Sequence, residues 1–197
     1  PIALPATTTF NADLDHLSGD AQRQRRRERA SAAVRGVELF RSLTDAECET
    51  LAQAVTFCPF AAGERVTRQG AVAHYLYLLA SGRAEVKVAT DGRESTVSTI
   101  EAPGFFGEMG LLTGAPRRAS VYAVTAVDCF KLERSAFEGV IQHRPDVARE
   151  LGAVLAARQT ELDLVTSSLD AAGRAAHQRA ETERMVARIR EFFGLGA

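Results

Sequence analysis

FFGEMGLLTGAPRRASV, residues 105–121, sets one carboxylate, Glu108, among Gly107, Gly110 and Gly114, then delivers Pro116, Arg117 and Arg118. Glycine-rich backbone leading into a short helix lets several N–H groups converge on one point, which suits an anion. Arg117 adds a planar fork able to hold two phosphate oxygens at once. An ionised Glu108 only accepts hydrogen bonds, so it suits a hydroxyl such as that of a sugar. Acid and anion can share one loop when they touch different parts of one ligand. The competing reading is a kinase target, Arg117-Arg118-Ala119-Ser120. That reading needs an exposed, flexible segment, whereas Ser120-Val121 opens a β run, and it ranks well below a ligand cradle.

Outward from this loop, residues 56–132 consist of short β segments divided by glycines. Tyr75 to Leu79 is a buried apolar run, and Ser81-Gly82 is a turn signal. Ala84, Val86 and Val88 then alternate with Glu85 and Lys87. Asp91-Gly92 is a hairpin turn, because both positions tolerate positive φ. SVYAVTAVDCFKLE supplies the last strands. Strands at about ten-residue spacing predict an antiparallel sandwich or roll.

Helical patterns flank the β region. Thr44 with Glu47 fits a capping box, ahead of Cys48, Leu51, Ala52 and Val55 at helical spacing. SAFEGVIQH is a helix, and Pro145 stands where the first turn of the next begins. That helix, about 145–169, carries Val147, Leu151, Leu155, Leu162, Val165 and Leu169 on one stripe, which also passes through Arg158, a charge in an apolar seam. Residues 174–193 form a last helix with Met185, Ile189 and Phe192 on one face. At the other end, residues 1–11 (PIALPATTTFN) read as an extended tail or strand end. Residues 12–36 form a helix around QRQRRRER, residues 22–29. Its arginines admit phosphate binding, but no aromatic interleaves them, and a solvated linker helix with salt bridges to a neighbour is favoured.

Composition narrows the function classes. The 197 residues carry a formal charge of -1, so no global field advertises nucleic acid or a membrane surface. Cys48, Cys58 and Cys129 are well separated without CxxC pairing, which argues for a reducing compartment and against a disulfide frame or zinc site. No run of eighteen apolar residues exists, and residues 1–20 lack the pattern of a signal peptide. His16, His74, His143 and His177 are scattered, with no metalloprotease motif or nucleophile elbow, and Glu108 has no second carboxylate at catalytic spacing. Neither an enzyme, a metal centre nor a cofactor is expected.

The stretch from Phe106 through Leu112, with Pro116-Arg117 and Ala119-Ser120-Val121, resembles the phosphate-binding cassette of the cyclic-nucleotide-binding domain family. Gly63-Glu64, Gly70 and YLYLLASGRAEV fall where that family's β-roll has turns and central strands. The resemblance covers roughly residues 37–165. It implies an α+β fold, an antiparallel, jelly-roll-like β-roll flanked by N-terminal helices and a C-terminal lid helix. It implies linker, binding domain and helical extension at 1–36, 37–169 and 170–197. By the same resemblance Glu108 accepts a ribose 2′-OH and Arg117 binds the exocyclic phosphate oxygens. Backbone groups of Phe106, Gly107, Met109 and Gly110 stand nearby, and Ala119 and Ser120 complete the phosphate side. Arg158 lies over the base, with a salt bridge to Glu150 or Glu161 as the alternative. Where the family often has Ala, Ser or Thr after the phosphate arginine, Arg118 stands here as a second phosphate contact or a solvent-facing residue. That departure favours cAMP over cGMP. A degenerate roll without ligand is the remaining alternative.

Too little chain follows the lid for a DNA-reading helix-turn-helix, and only one roll is visible where kinase regulatory subunits have two. Residues 1–11 resemble the tail of the cytosolic α/β domain of small-conductance mechanosensitive channels. A cyclic-nucleotide-gated bacterial channel is therefore expected, homo-oligomeric through a membrane part upstream of Pro1, with this chain on the cytoplasmic face and no nucleic acid partner. A soluble effector is the alternative.

Overall fold

The computed structural model describes the backbone of residues 12–90, 92–164 and 171–195, and the side chains of 19–90, 92–144, 146–159 and 179–195. The expectations for residues 1–11, Asp91, Glu161, Leu162, Val165, Leu169, His16 and His177 fall outside these.

Among the described residues eight strands form two four-stranded antiparallel sheets. The first sheet holds β1 (Thr56–Phe60), β8 (Val127–Glu133), β3 (Tyr75–Ser81) and β6 (Gly104–Phe106), in that order. The second holds β2 (Arg65–Thr67), β7 (Ser120–Ala123), β4 (Arg83–Thr90) and β5 (Arg93–Glu101). The expected roll is present. Ser81-Gly82 carries the chain from one sheet to the other, with Gly82 at φ 84°. β4 and β5 pair up to Thr90 opposite Arg93, closing the expected hairpin.

The apolar run YLYLL is explained by what covers each face of β3. Leu76 and Leu78 point to the helices, while Leu79 joins Ala84, Phe106, Val121, Ala123, Val127 and Cys129 between the sheets. A strand buried on both faces has no polar side to show, so alternation vanishes from its sequence. β6 splits in the same way: Phe105 faces the helices and Phe106 the inter-sheet core.

The larger core lies between the first sheet and the helices. They are α1 (Ala12–Arg35), a 3₁₀ turn at Glu38–Phe40, α2 (Asp45–Ala54), α3 (Glu108–Thr113), α4 (Arg134–His143), α5 (Pro145–Leu164) and α6 (Ala171–Phe192). α2 starts with the expected capping box: Thr44 Oγ1 accepts from Glu47 N, and Glu47 Oε2 accepts from Thr44 N at 2.7 Å. Val147, Leu151 and Leu155 of the α5 stripe are buried with Met185 and Ile189 of α6. The arginine helix is seated on the roll, with Ala30, Ala33 and Val34 buried in the larger core. Arg29 pairs with Asp128 on β8, and its guanidinium stands 5.3 Å from the Phe57 ring centre, whereas Arg23 pairs locally with Asp20.

Candidate ligand site

The loop from β6 into α3 and on to β7 borders a cavity of about 450 Å³, closed on its other side by β5. Gly107 turns the chain out of β6 with φ 84°, in the left-handed region that favours glycine. A Cβ there would overlap Nη1 of Arg117. This glycine therefore serves both the turn and the close approach of the guanidinium.

Arg117 is buried, 8% exposed. Its Nη1 donates to Gly107 O at 2.8 Å, its Nη2 donates to Tyr75 O, and its guanidinium lies 5.7 Å from the Tyr77 ring centre. Tyr77 is held in turn by Phe106, stacked at 5.1 Å and 9°. Burial pushes the Arg117 pKa below its ordinary value, opposed by Tyr77 and the Glu108 charge. A guanidinium remains protonated under any such shift near neutral pH. The result is a desolvated cation hydrogen-bonded to carbonyl oxygens, with donor capacity left over. An anion in the cavity would supply the charge those carbonyls do not.

Glu108, the first residue of α3, is also buried at 7% exposure. Its Oε1 stands 3.6 Å from Nη1 of Arg158, which donates to Phe105 O at 2.9 Å. The Arg158 guanidinium carbon stands 3.7 Å from the Phe105 ring centre. The charge in the α5 seam is thus accounted for: the stripe faces the roll, and at Arg158 it meets a carboxylate and an aromatic face.

Residues 57–144 match the model of the cyclic nucleotide-binding domain family. A cAMP-dependent protein kinase regulatory subunit of Blastocladiella emersonii is 32% identical over 146 residues, 74% of this chain and 35% of that protein. The cyclic AMP receptor protein of Thermus thermophilus is 32% identical over 132 residues, 66% of this chain and 61% of that one. Among solved structures, the regulatory domain of Toxoplasma gondii PKA with cAMP superposes with a TM-score of 0.61 at 25% identity, covering 79% of this chain and 57% of the other. The chain carries, at residues 57–144, a domain of the cyclic nucleotide-binding family. It spans less than half the length of the kinase regulatory subunits it matches.

In this cyclic nucleotide-binding domain and the α5 helix that follows it, Phe106, Gly107, Glu108, Met109, Gly110, Arg117, Arg118, Ala119 and Arg158 all line the cavity. Ser120 does not. It is buried, and its Oγ accepts from Gln69 N at 3.1 Å, fastening β7 to the β2 exit. The same burial removes the kinase-target reading of Arg117 to Ser120. Arg118 is exposed at the rim, free to swing toward a ligand or water. The partner of Arg158 is Glu108 rather than Glu150 on its own helix, because the α5 face that carries Arg158 is turned to the cassette.

Sequence inspection missed the opposite wall, Val97 to Glu101 of β5 with Val86 and Thr67. These residues read as an ordinary exposed hairpin strand. Only Val97 and Ile100, apolar among polar neighbours, hinted at a covered patch.

Proposed function

We propose that this chain is a cAMP sensor in which ligand capture at the cassette is passed to the α5 helix. The observation that carries the reading is the buried Arg117, a desolvated cation facing a cavity of about 450 Å³. That volume falls within the roughly 300–1,000 Å³ of small-molecule sites. Arg117 holds the cyclic phosphate through its remaining donors, charge-assisted and short. Glu108 accepts the ribose 2′-OH; a carboxylate has about four acceptor positions, so it serves the hydroxyl and Arg158 together. The base lies between the β5 wall and Arg158. The chain acts by binding rather than by chemistry, and its relatives named for cAMP support the choice of nucleotide.

The test is calorimetric titration of cAMP and cGMP into the chain and into Arg117→Ala. We expect saturable cAMP binding, tighter than cGMP, weakened at least tenfold by the substitution, about 1.4 kcal/mol. Absence of heat and of thermal shift with either nucleotide would overturn the reading.

For the effector, the proposal is an ion channel joined upstream of α1. Support comes from the likeness of residues 1–11 to a channel's cytosolic tail and from α1, a stiff arm seated on the roll by Arg29 and Asp128. In this reading the pore would lie in a segment before α1, since among the described residues no helix is long and apolar enough to cross a membrane. The second reading, a kinase or transcription regulator, is favoured by the relatives, which carry those names. Ion flux through liposomes holding the full-length product, with and without cAMP, separates the two. Nucleotide-independent leakage or no flux favours the soluble effector.

A further inference from the structure

Two thiols face each other across the roll. Cys58 on β1 and Cys129 on β8 are direct partners in the antiparallel ladder, flanked by Phe57 opposite Phe130 and Pro59 opposite Asp128. Residues directly opposite share a face of the sheet, with Cα atoms about 4.5–5.5 Å apart. A disulfide accepts about 4.4–6.8 Å between Cα atoms. Both side chains join the inter-sheet core, Cys129 fully buried and Cys58 partly exposed at its margin. Cys48 sits in α2, within the other core, and serves as an internal control.

We propose that Cys58 and Cys129 form a redox modification site, a thiol pair that closes into a cross-strand disulfide when the chain meets a small disulfide such as oxidised glutathione. Cys58 is the entry thiol because it is the one solvent reaches. Its thiolate attacks one sulfur of glutathione disulfide, giving a mixed disulfide and releasing one glutathione thiolate. The Cys129 thiolate then attacks the Cys58 sulfur and expels the second glutathione. Two protein thiols lose two electrons, the small disulfide gains them, and the two departing protons end on the two glutathiones.

The surroundings set the pace. Burial raises the Cys58 thiol, opposed by the charge of Lys131, and pushes Cys129 up to about 12, with Cys58 and Asp128 adding to the rise. The thiolate fraction is small near neutral pH, so closure is slow there and quickens as pH rises. This distinguishes the pair from a structural disulfide and fits a chain that otherwise carries free thiols. β1 receives the chain from α2 and β8 hands it to α4. A bond between them ties the entry and exit of the roll, and Cys129 shares its core with Phe106, which lines the ligand cavity.

The experiment incubates the full chain overnight with oxidised glutathione at about pH 8.5, near the ordinary thiol pKa. Acid quenching, alkylation under denaturing conditions, intact mass and peptide mapping follow. We expect a loss of two hydrogens, one alkylated thiol at Cys48, a linked Cys58–Cys129 peptide, and full reversal by dithiothreitol. The link should vanish in Cys58→Ser and persist in Cys48→Ser. Three alkylated thiols, a lasting glutathione adduct on Cys58, or a bridge to Cys48 would each overturn the proposal. None of these readouts depends on nucleotide binding.

Discussion

Gly107 and Arg117 form a unit in which neither residue works without the other. The positive φ of Gly107 costs a residue with a Cβ about 1–2 kcal/mol, and the Cβ itself would overlap the Arg117 guanidinium. Relief requires Arg117 to leave Gly107 O and Tyr75 O, the two acceptors that aim it. Gly107→Ala is therefore expected to lower the thermal midpoint by several degrees and to weaken cAMP by at least tenfold, the loss also expected of Arg117→Ala. Thermal melts and calorimetry on the variant check this, and native affinity would show that the guanidinium is aimed by something else. Of this unit, the residue types were legible in the sequence because a phosphate site needs a fork and a tight turn. The aiming was not, since it rests on a carbonyl from β3 more than thirty positions away. Ser120 shows the same limit: a hydroxyl beside an arginine suggests phosphate, but only the packed β2–β7 pair reveals Gln69 as its partner.

Among the elements, the joint between α4 and α5, where the proposed signal would pivot α5, is fastened to α2. Arg144 caps α4 in a non-helical conformation, pairs with Asp146 at 2.8 Å at the start of α5, and reaches Glu47 in the α2 capping box at 3.3 Å. Hydrogen bonding from the Thr44 backbone holds the Glu47 carboxyl below its ordinary value, with Arg144 contributing. A depressed folded-state pKa stabilises above the unfolded value, about 4.3, and that stability is lost as pH falls through the folded value. We expect the native chain to lose part of its stability below roughly pH 4. Glu47→Gln should lack this acid component while keeping the capping box, since a glutamine carbonyl still accepts from Thr44 N, and at pH 7 it gives up only the charge held near Arg144. Parallel denaturant titrations at pH 7 and pH 4 measure it; an unchanged pH dependence in the variant would remove Glu47 from the joint. At the far side, α6 holds the cassette helix. Phe192 packs at Gly114 and stacks under Arg134, 3.7 Å from its guanidinium carbon, while Arg188 donates to Thr113 at 3.2 Å. The helices themselves were legible through caps, prolines and apolar spacing. The α6 contacts were not, because aromatic and basic residues at a helix end look alike whether they meet solvent or another element.

For the whole molecule, the question is how a ligand among strands can move helices, and Arg158 is where the two layers meet. The roll and its helical cover were both readable as periodic patterns, strands by short glycine-bounded runs and helices by stripes. Their coupling was visible only as one misfit, a charge where the α5 stripe should be apolar. In the structure that misfit carries an ion pair to Glu108, a hydrogen bond to Phe105 O and a stacked ring. The pair is partly exposed, with Arg158 at 33%, so its Coulomb energy is screened. The stacking and the hydrogen bond each contribute about 1 kcal/mol. A ligand shifts α5 only through contacts that differ between the open and closed states. Under the proposed cAMP reading Glu108 and Arg158 would supply that difference, since a ribose on Glu108 and a base under Arg158 would make both residues prefer a closed arrangement. Hydrogen exchange should then show cAMP slowing amides in two regions of the native chain, residues 105–121 and residues 147–159. In Arg158→Ala the first protection should remain, because Arg117 still holds the phosphate, while the second falls away and affinity drops about three- to thirtyfold. Protection of α5 as strong in the variant as in the native chain would mean that the signal travels another way, through α3 and the α6 clamp at Phe192.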